Sequence, residues 1–178
     1  MEKIFTGYHG TVDDNIEEIL ESILNRGFYI SNGKNQWLGK GIYLFDNVSQ
    51  ARWWCETQKE KSLKYGIIEV TFSCDSSKIL DLDNQGDREK YIKAIKKYKN
   101  MIEEKKLKFN SDEEALLKIQ CLILSMYKKD NNIDMMKKTF YLEKELKLKF
   151  DVMSKTHTQY CLTSEESIKE KQIRYYRS

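Results

Sequence analysis

The chain has 178 residues and a mass of 21.2 kDa, the length of one domain with enough chain to enclose a core. Its 11 Tyr, 7 Phe and 3 Trp within a 40% apolar composition exclude a disordered chain. A mean hydropathy of −0.69, with no apolar run of about 18 residues, argues against a membrane span.

The net charge of +3 is too small to indicate a nucleic-acid partner, but it is unevenly spread. Residues 1–86 hold 9 Lys/Arg against 13 Asp/Glu, residues 87–149 hold 17 against 11, and residues 150–178 hold 5 against 4. The basic character therefore belongs to the middle of the chain. The four cysteines, Cys55, Cys74, Cys121 and Cys161, form no Cys-x-x-Cys pair, and the histidines are His9 and His157. No zinc site is expected from such scattered ligands. The amino terminus has no secretory apolar stretch, so four free thiols in a reducing, cytoplasmic compartment are expected.

In chain order, Ile4 to His9 reads as a strand ending at Gly10. Ile16, Ile19, Leu20, Ile23 and Leu24 then share one helical face. Thr11 or Asp13 is available to cap that helix, and Gly27 to stop it. Phe28-Tyr29-Ile30 reads as a short strand, and Ser31 to Lys40 as a polar loop. Gly41 to Phe45 reads as a strand, and Asp46-Asn47 as the cap of a helix reaching about Lys61. Strands follow at Ile67–Phe72 and Lys78–Leu82. From Asp87 to about Leu148 the chain reads as helices: Asp87–Lys108, a strongly apolar Glu113–Tyr127, and a Lys-rich Met135–Lys149. Strands return at Thr158–Thr163 and Gln172–Tyr176. Strands on both sides of a helical block predict one α+β domain over 1–178, with 87–150 a helical insertion.

Three places carry candidate chemistry. In Tyr8-His9-Gly10-Thr11 a histidine stands at a strand end, and the glycine after it admits close approach to its backbone. In Gly39-Lys40-Gly41-Ile42-Tyr43 a tight turn enters a strand. The following helix brings Ala51 and Trp54, whose ring is placed to face Tyr43 across a slot that would hold a flat heteroaromatic ring. Core packing accounts for the same aromatics. The third place is Gln159 near the head of a late strand, with His157 read as a surface or strand-end residue beside it. Cys55 and Cys121 read as core thiols, and Lys40 as a loop lysine.

Taken together these segments resemble the poly(ADP-ribose) polymerase and diphtheria-toxin branch of the ADP-ribosyltransferases. The match is closest over Trp37–Cys55, where Gly39-Lys40-Gly41-Ile42-Tyr43, Asp46, Val48-Ser49 and Cys55 stand in ungapped register. It extends over about residues 4–82 and 156–178 and leaves 87–150 outside. The resemblance implies a split, mostly antiparallel β-sandwich with flanking helices, and NAD as the substrate. It implies that His9 contacts the adenosine ribose and Gly10 the nicotinamide carboxamide. Thr11 and Ala51 fall in the same cofactor-binding segments. Tyr43 would stack on the nicotinamide, Trp54 would replace a second ring-packing tyrosine, and Gln159 stands where the family has its catalytic glutamate.

Three departures from the pattern limit the chemistry. Ala51 replaces a carboxamide-binding serine, Gln50 replaces a lysine used in chain elongation, and Gln159 is a neutral amide. An amide holds a hydroxyl but stabilises a cationic ribose less than a carboxylate does. The expectation is single transfer of ADP-ribose to a macromolecule, RNA, DNA or protein, in the manner of toxin-like or anti-phage members, with an antitoxin as a further partner and no membrane. A non-catalytic NAD or ADP-ribose binding module and a nucleic-acid or protein interaction domain are the alternatives. The last rests on residues 87–108, which hold 9 Lys/Arg against 4 Asp/Glu with Tyr91 and Tyr98 interleaved.

Overall fold

The computed structural model describes residues 1–31, 36–58, 64–104, 113–140 and 156–177. Among these residues four α-helices and a seven-stranded sheet make an α+β architecture. The elements are β1 (Glu2–Asp13), α1 (Ile16–Arg26), β2 (Ile42–Phe45), α2 (Val48–Gln58), β3 (Lys64–Asp75), β4 (Ile79–Asp81), α3 (Gln85–Glu104), α4 (Glu113–Asp130), β5 (Met135–Phe140), β6 (His157–Leu162) and β7 (Ile168–Arg177).

The strands run in the order β4-β5-β6-β2-β1-β3-β7, antiparallel except for β4 beside β5. The joints between strands are unequal. β1 pairs with β3 along its whole length, from Glu2↔Asp75 to Asp13↔Lys64. It meets β2 in the single register pair Tyr8↔Phe45. The sheet is therefore two ladders, β4-β5-β6-β2 and β1-β3-β7, held together at one point and parting beyond it.

The interior strand β3, between β1 and β7, is buried along most of its length on both faces. Its even positions Ile68, Val70 and Phe72 meet α1 through Ile16, Leu20 and Ile23. Its odd positions Tyr65 and Ile67 meet α2 through Ala51 and Cys55. The alternation follows from the period of two. α1 begins at Asn15, whose N–H bonds Asp13 Oδ1 at 2.8 Å, and it ends where the Gly27 N–H bonds Ile23 O at 3.1 Å. Asp13 thus shapes the entry turn without being the cap, and Thr11 stays within β1. At the start of α2, Asn47 Oδ1 accepts from the Ser49 N–H at 2.7 Å.

Two expected elements differ. Phe28-Tyr29-Ile30 joins no ladder. The chain there is tied instead by a bond from the Phe28 N–H to Glu165 Oε1, and by an isolated bridge between Ser31 and Gly41. Met135–Phe140, expected as the start of a helix, is the strand β5, paired with both β4 and β6. Helix-favouring Met and Lys yield there to burial on two sides. Met135 and Leu162 face the core under α1, while the next pair, Met136 and Cys161, faces the core under α3 and α4. The basic middle of the chain is therefore not wholly helical, and one of its strands belongs to the sheet. Residues 141–149 of that expected helix lie outside the described residues.

α3 and α4 close the second core through Tyr91, Tyr98, Ile123, Leu124 and Tyr127 against Leu80, Met136 and Cys161. Tyr98 donates to Asp130 Oδ2 at 2.6 Å, which ties the two helices. Outward, α3 shows Arg88, Lys90, Lys93, Lys96 and Lys97 to solvent.

Candidate active site

Where the two ladders part, they leave a cleft of about 340 Å³. β1 supplies His9 and Gly10, β2 supplies Ile42, Tyr43 and Phe45, and α2 supplies Trp54 and Gln58. β6 supplies Gln159, and the connection before β2 adds Tyr29, Ser31, Gln36 and Gly41. Five residues singled out in the sequence, His9, Gly10, Tyr43, Trp54 and Gln159, therefore meet at one cleft although they span most of the chain. Thr11 and Ala51 do not line it. Ala51 is fully buried in the core between α2 and the sheet. The Thr11 carbonyl receives the Cys55 thiol at 3.9 Å.

His9 Nδ1 lies 3.0 Å from the backbone oxygen of Tyr43. A carbonyl only accepts, so Nδ1 carries the proton and Nε2 is the basic nitrogen. The ring packs edge-on against Phe28, centroids 4.9 Å apart. Burial holds the His9 pKa below the usual 6.5, against the opposing effect of the bond to Tyr43. The imidazole is thus neutral at pH 7 and offers Nε2 as an acceptor.

Gly10 is a close-contact position, though not first for a ligand. A Cβ built there would stand 2.6 Å from Cys55 Sγ and 3.1 Å from the Ala51 carbonyl. Only a residue without a side chain lets α2 lie this near to β1, and that approach brings Trp54 to the cleft. On the β2 side, the ladder leaves β1 unpaired beyond Tyr8.

Tyr43 is held by its hydroxyl. It accepts from the Leu38 N–H at 3.0 Å and donates to Gly39 O at 2.6 Å. Burial, then the neighbouring Cys161, pushes its pKa far up, so it stays a protonated phenol. Tyr43 also packs against the core under α3 and α4 while lining the cleft. Gly39 supplies the turn with a φ of +77°, a left-handed conformation that suits glycine.

Gln159 makes one hydrogen bond among the described residues, from its Nε2 to His157 Nε2 at 3.1 Å. His157 begins β6 as expected, but it is buried rather than at the surface. It lies among the rings of Phe45, Trp53 and Phe140. Its register partner Phe140 belongs to β5, the strand expected from the sequence to be helical. Cys55 is a core thiol, whereas Cys121 is half-exposed and bonds Gln36 O.

The described residues lining the cleft carry no charged side chain. The wall is aromatic and carboxamide, suited to a flat neutral ring with hydrogen-bonding edges. Among the described residues no group of three His, Cys, Asp or Glu is placed to hold a metal, and no helix is long and apolar enough to cross a membrane. The sequence reading did not find Tyr29, Gln36 or Gln58. Gln58 stands one helical turn past Trp54, a spacing that could have pointed to it. The loop residues carry no periodic signal.

A cleft whose described lining is aromatic and carboxamide, at the split of a mixed sheet, is the class of site that fold and geometry define. No family model matches the chain, and no solved structure matches it. The chain is similar to an uncharacterized protein of Methanocaldococcus jannaschii, 37% identical over 81 residues. That segment is 43% of this chain and 36% of the relative, so the match spans about a third of the relative's length.

Proposed function

We propose that the chain is a mono-ADP-ribosyltransferase that uses NAD as its substrate and a macromolecule as acceptor. The observation that carries this reading is the meeting of His9, Gly10, Tyr43, Trp54 and Gln159 at one cleft, since these are the residues through which the sequence resembles that superfamily. The two ladders joined at Tyr8↔Phe45 also suit its split β-sandwich.

The nicotinamide ring lies against Tyr43 and Trp54, with its carboxamide at the β1 backbone near Gly10. His9 Nε2 accepts a ribose hydroxyl, and the Gln159 carboxamide oxygen accepts another. The bond between nicotinamide nitrogen and ribose carbon breaks, and nicotinamide leaves with the electron pair. The acceptor nucleophile bonds that carbon and gives up its proton to solvent or to a base of its own. The protein contributes pose and a water-poor wall rather than a strong base. In this reading the diphosphate lies toward the mouth of the cleft, where solvent screens its charge.

One observation favours a second reading, a module that binds NAD or ADP-ribose without turnover. Gln159 is an amide, and its nitrogen is occupied by His157. The experiment is incubation of the purified chain with adenylate-labelled NAD and a total cell lysate, followed by division among RNase, DNase and protease. Transfer lost in Tyr43→Ala supports the enzyme and names the acceptor class. NAD binding without nicotinamide release supports the module, and neither binding nor release rejects both. A cytoplasmic toxin or anti-phage role with a cognate antitoxin follows from the resemblance and is tested by toxicity on expression.

A further inference from the structure

The loop that leads into β2 has a feature its sequence does not announce: every backbone carbonyl from Gln36 to Gly41 is taken. Gln36 O accepts from the Cys121 thiol at 2.8 Å, and Trp37 O from Gln120 Nε2 at 3.3 Å. Leu38 O and Lys40 O both accept from Lys128 Nζ, at 3.3 and 2.5 Å. Gly39 O accepts from the Tyr43 hydroxyl, and Gly41 O from the Ser31 N–H. Cys121, Leu124 and Lys128, at i, i+3 and i+7, lie on one face of α4 with Gln120 at its margin. Leu124 packs where Gly39 has no side chain, its Cβ 3.3 Å from the place a Gly39 Cβ would take.

Lys128 is the unusual member. It is 6% exposed. Its three ammonium protons have three acceptors, the two loop carbonyls and Cys161 Sγ at 3.8 Å. Among the described residues no carboxylate pairs with it. A buried cation held by backbone dipoles is a poor way to stabilise a fold, because such dipoles meet its desolvation cost only in part. A loop whose carbonyls converge on one point has few other ways to be held.

We propose that Lys128 is a positioning residue of the cleft. From α4, outside the segments that resemble transferases, it gathers the carbonyls of Leu38 and Lys40 and so sets Gln36, Gly41 and Tyr43 in the cleft wall. The part of α4 in the basic middle of the chain thereby has a role at the site: it is the frame of the loop. The consequence for NAD rests on the functional reading above; the consequence for the loop does not.

The test compares the wild-type chain with Lys128→Met and with Lys128→Gln. Amide hydrogen exchange at Leu38 and Gly39, melting temperature and NAD binding by calorimetry are read on each. Lys128→Met removes a buried cation but also leaves the Leu38 and Lys40 carbonyls without their donor, so the melting temperature falls while the damage stays local to the loop. Exchange at Leu38 and Gly39 rises by about tenfold or more, the loss of one charge-assisted hydrogen bond. The Kd for NAD rises by a similar factor. Lys128→Gln removes the charge but keeps a shorter donor, and it raises exchange at the same amides by less than Lys128→Met does. Unchanged exchange in Lys128→Gln overturns the proposal even if Lys128→Met does not fold.

Unchanged exchange at these amides in a folded Lys128→Met overturns the proposal. So does a lowered melting temperature with exchange raised evenly through the sheet, the signature of an ordinary structural residue. A wild type that binds no NAD sinks the functional reading, while the exchange data still decide the role of Lys128.

Discussion

The carboxamide nitrogen of Gln159 lies 3.1 Å from Nε2 of His157, two residues back on the same face of β6. An amide NH₂ can only donate, so the imidazole accepts at Nε2, carries its proton on Nδ1, and leaves Gln159 Oε1 as the acceptor toward the cleft. His157 thus orients the residue standing where a glutamate would stabilise a cationic ribose. Gln159→Glu is expected to raise nicotinamide release by about tenfold or more, because a carboxylate stabilises that charge better than an amide dipole. Gln159→Ala and His157→Phe are expected to lower it, and His157→Asn, which can still accept the bond, to recover part of the loss. Equal release rates across these variants would remove Gln159 from the site.

His9 links protonation to folding. Burial holds its pKa below the 6.5 of an unfolded histidine, so below that pH the unfolded chain binds a proton that the folded chain refuses. The stability from this residue is complete above pH 6.5 and is lost as pH falls toward the folded pKa, by at most about 1.4 kcal/mol per pH unit. Urea unfolding at pH 7.5 and 5.5 should show a smaller acid-induced loss in His9→Asn than in wild type. Identical losses would mean that His9 titrates normally in the fold.

Gly10 is expected to be intolerant of a single methyl group. The added Cβ of Gly10→Ala would stand 2.6 Å from Cys55 Sγ. Overpacking of this kind costs about 1–3 kcal/mol. Shortening the opposing side chain with Cys55→Ala should recover part of that loss, while the Ala51 carbonyl 3.1 Å away limits the recovery. Denaturant midpoints of the two single variants and the double variant measure the coupling. Additive losses would show that α2 does not press on β1 through this pair.

Ring and hydroxyl of Tyr43 have separable roles. Tyr43→Phe leaves the Leu38 N–H without its acceptor and should cost about 1–3 kcal/mol of stability, with NAD affinity reduced less than by loss of the ring. Tyr43→Ala should abolish NAD binding, since the stacking surface itself is gone. Calorimetric titration of both variants, alongside denaturant unfolding, checks the division. Full binding by Tyr43→Ala would contradict the stacking role.

Much of the architecture was legible in the sequence. The apolar positions of α1, from Ile16 to Leu24, repeat at 3.6 residues, and Gly27 ends the helix. The run from Ile67 to Phe72 has the β-branched and aromatic character of a buried strand, and β3 is one, paired on both sides. Local propensity failed at Met135–Phe140. Nothing in Met-Met-Lys-Lys says strand until β4 and β6 stand on either side to take its backbone bonds. It failed also at Phe28–Ile30, where apolar residues serve a connection pinned by Glu165 from the far end of the chain.

The candidate site divides in the same way. Residue types and local spacing singled out His9, Gly10, Tyr43 and Trp54, because a glycine beside a histidine and aromatics at a turn are local signals; Gln159 stood out only through the family resemblance. The tautomer of His9, the burial of His157, the exclusion of Thr11 and Ala51 from the cleft, and the grip of Lys128 on the loop were decided by tertiary structure alone. Each depends on a partner far away in the chain: Tyr43 for His9, Phe140 for His157, Leu38 and Lys40 for Lys128. Periodicity and propensity act over a few residues, whereas burial and hydrogen-bond satisfaction are set by whatever the fold brings alongside.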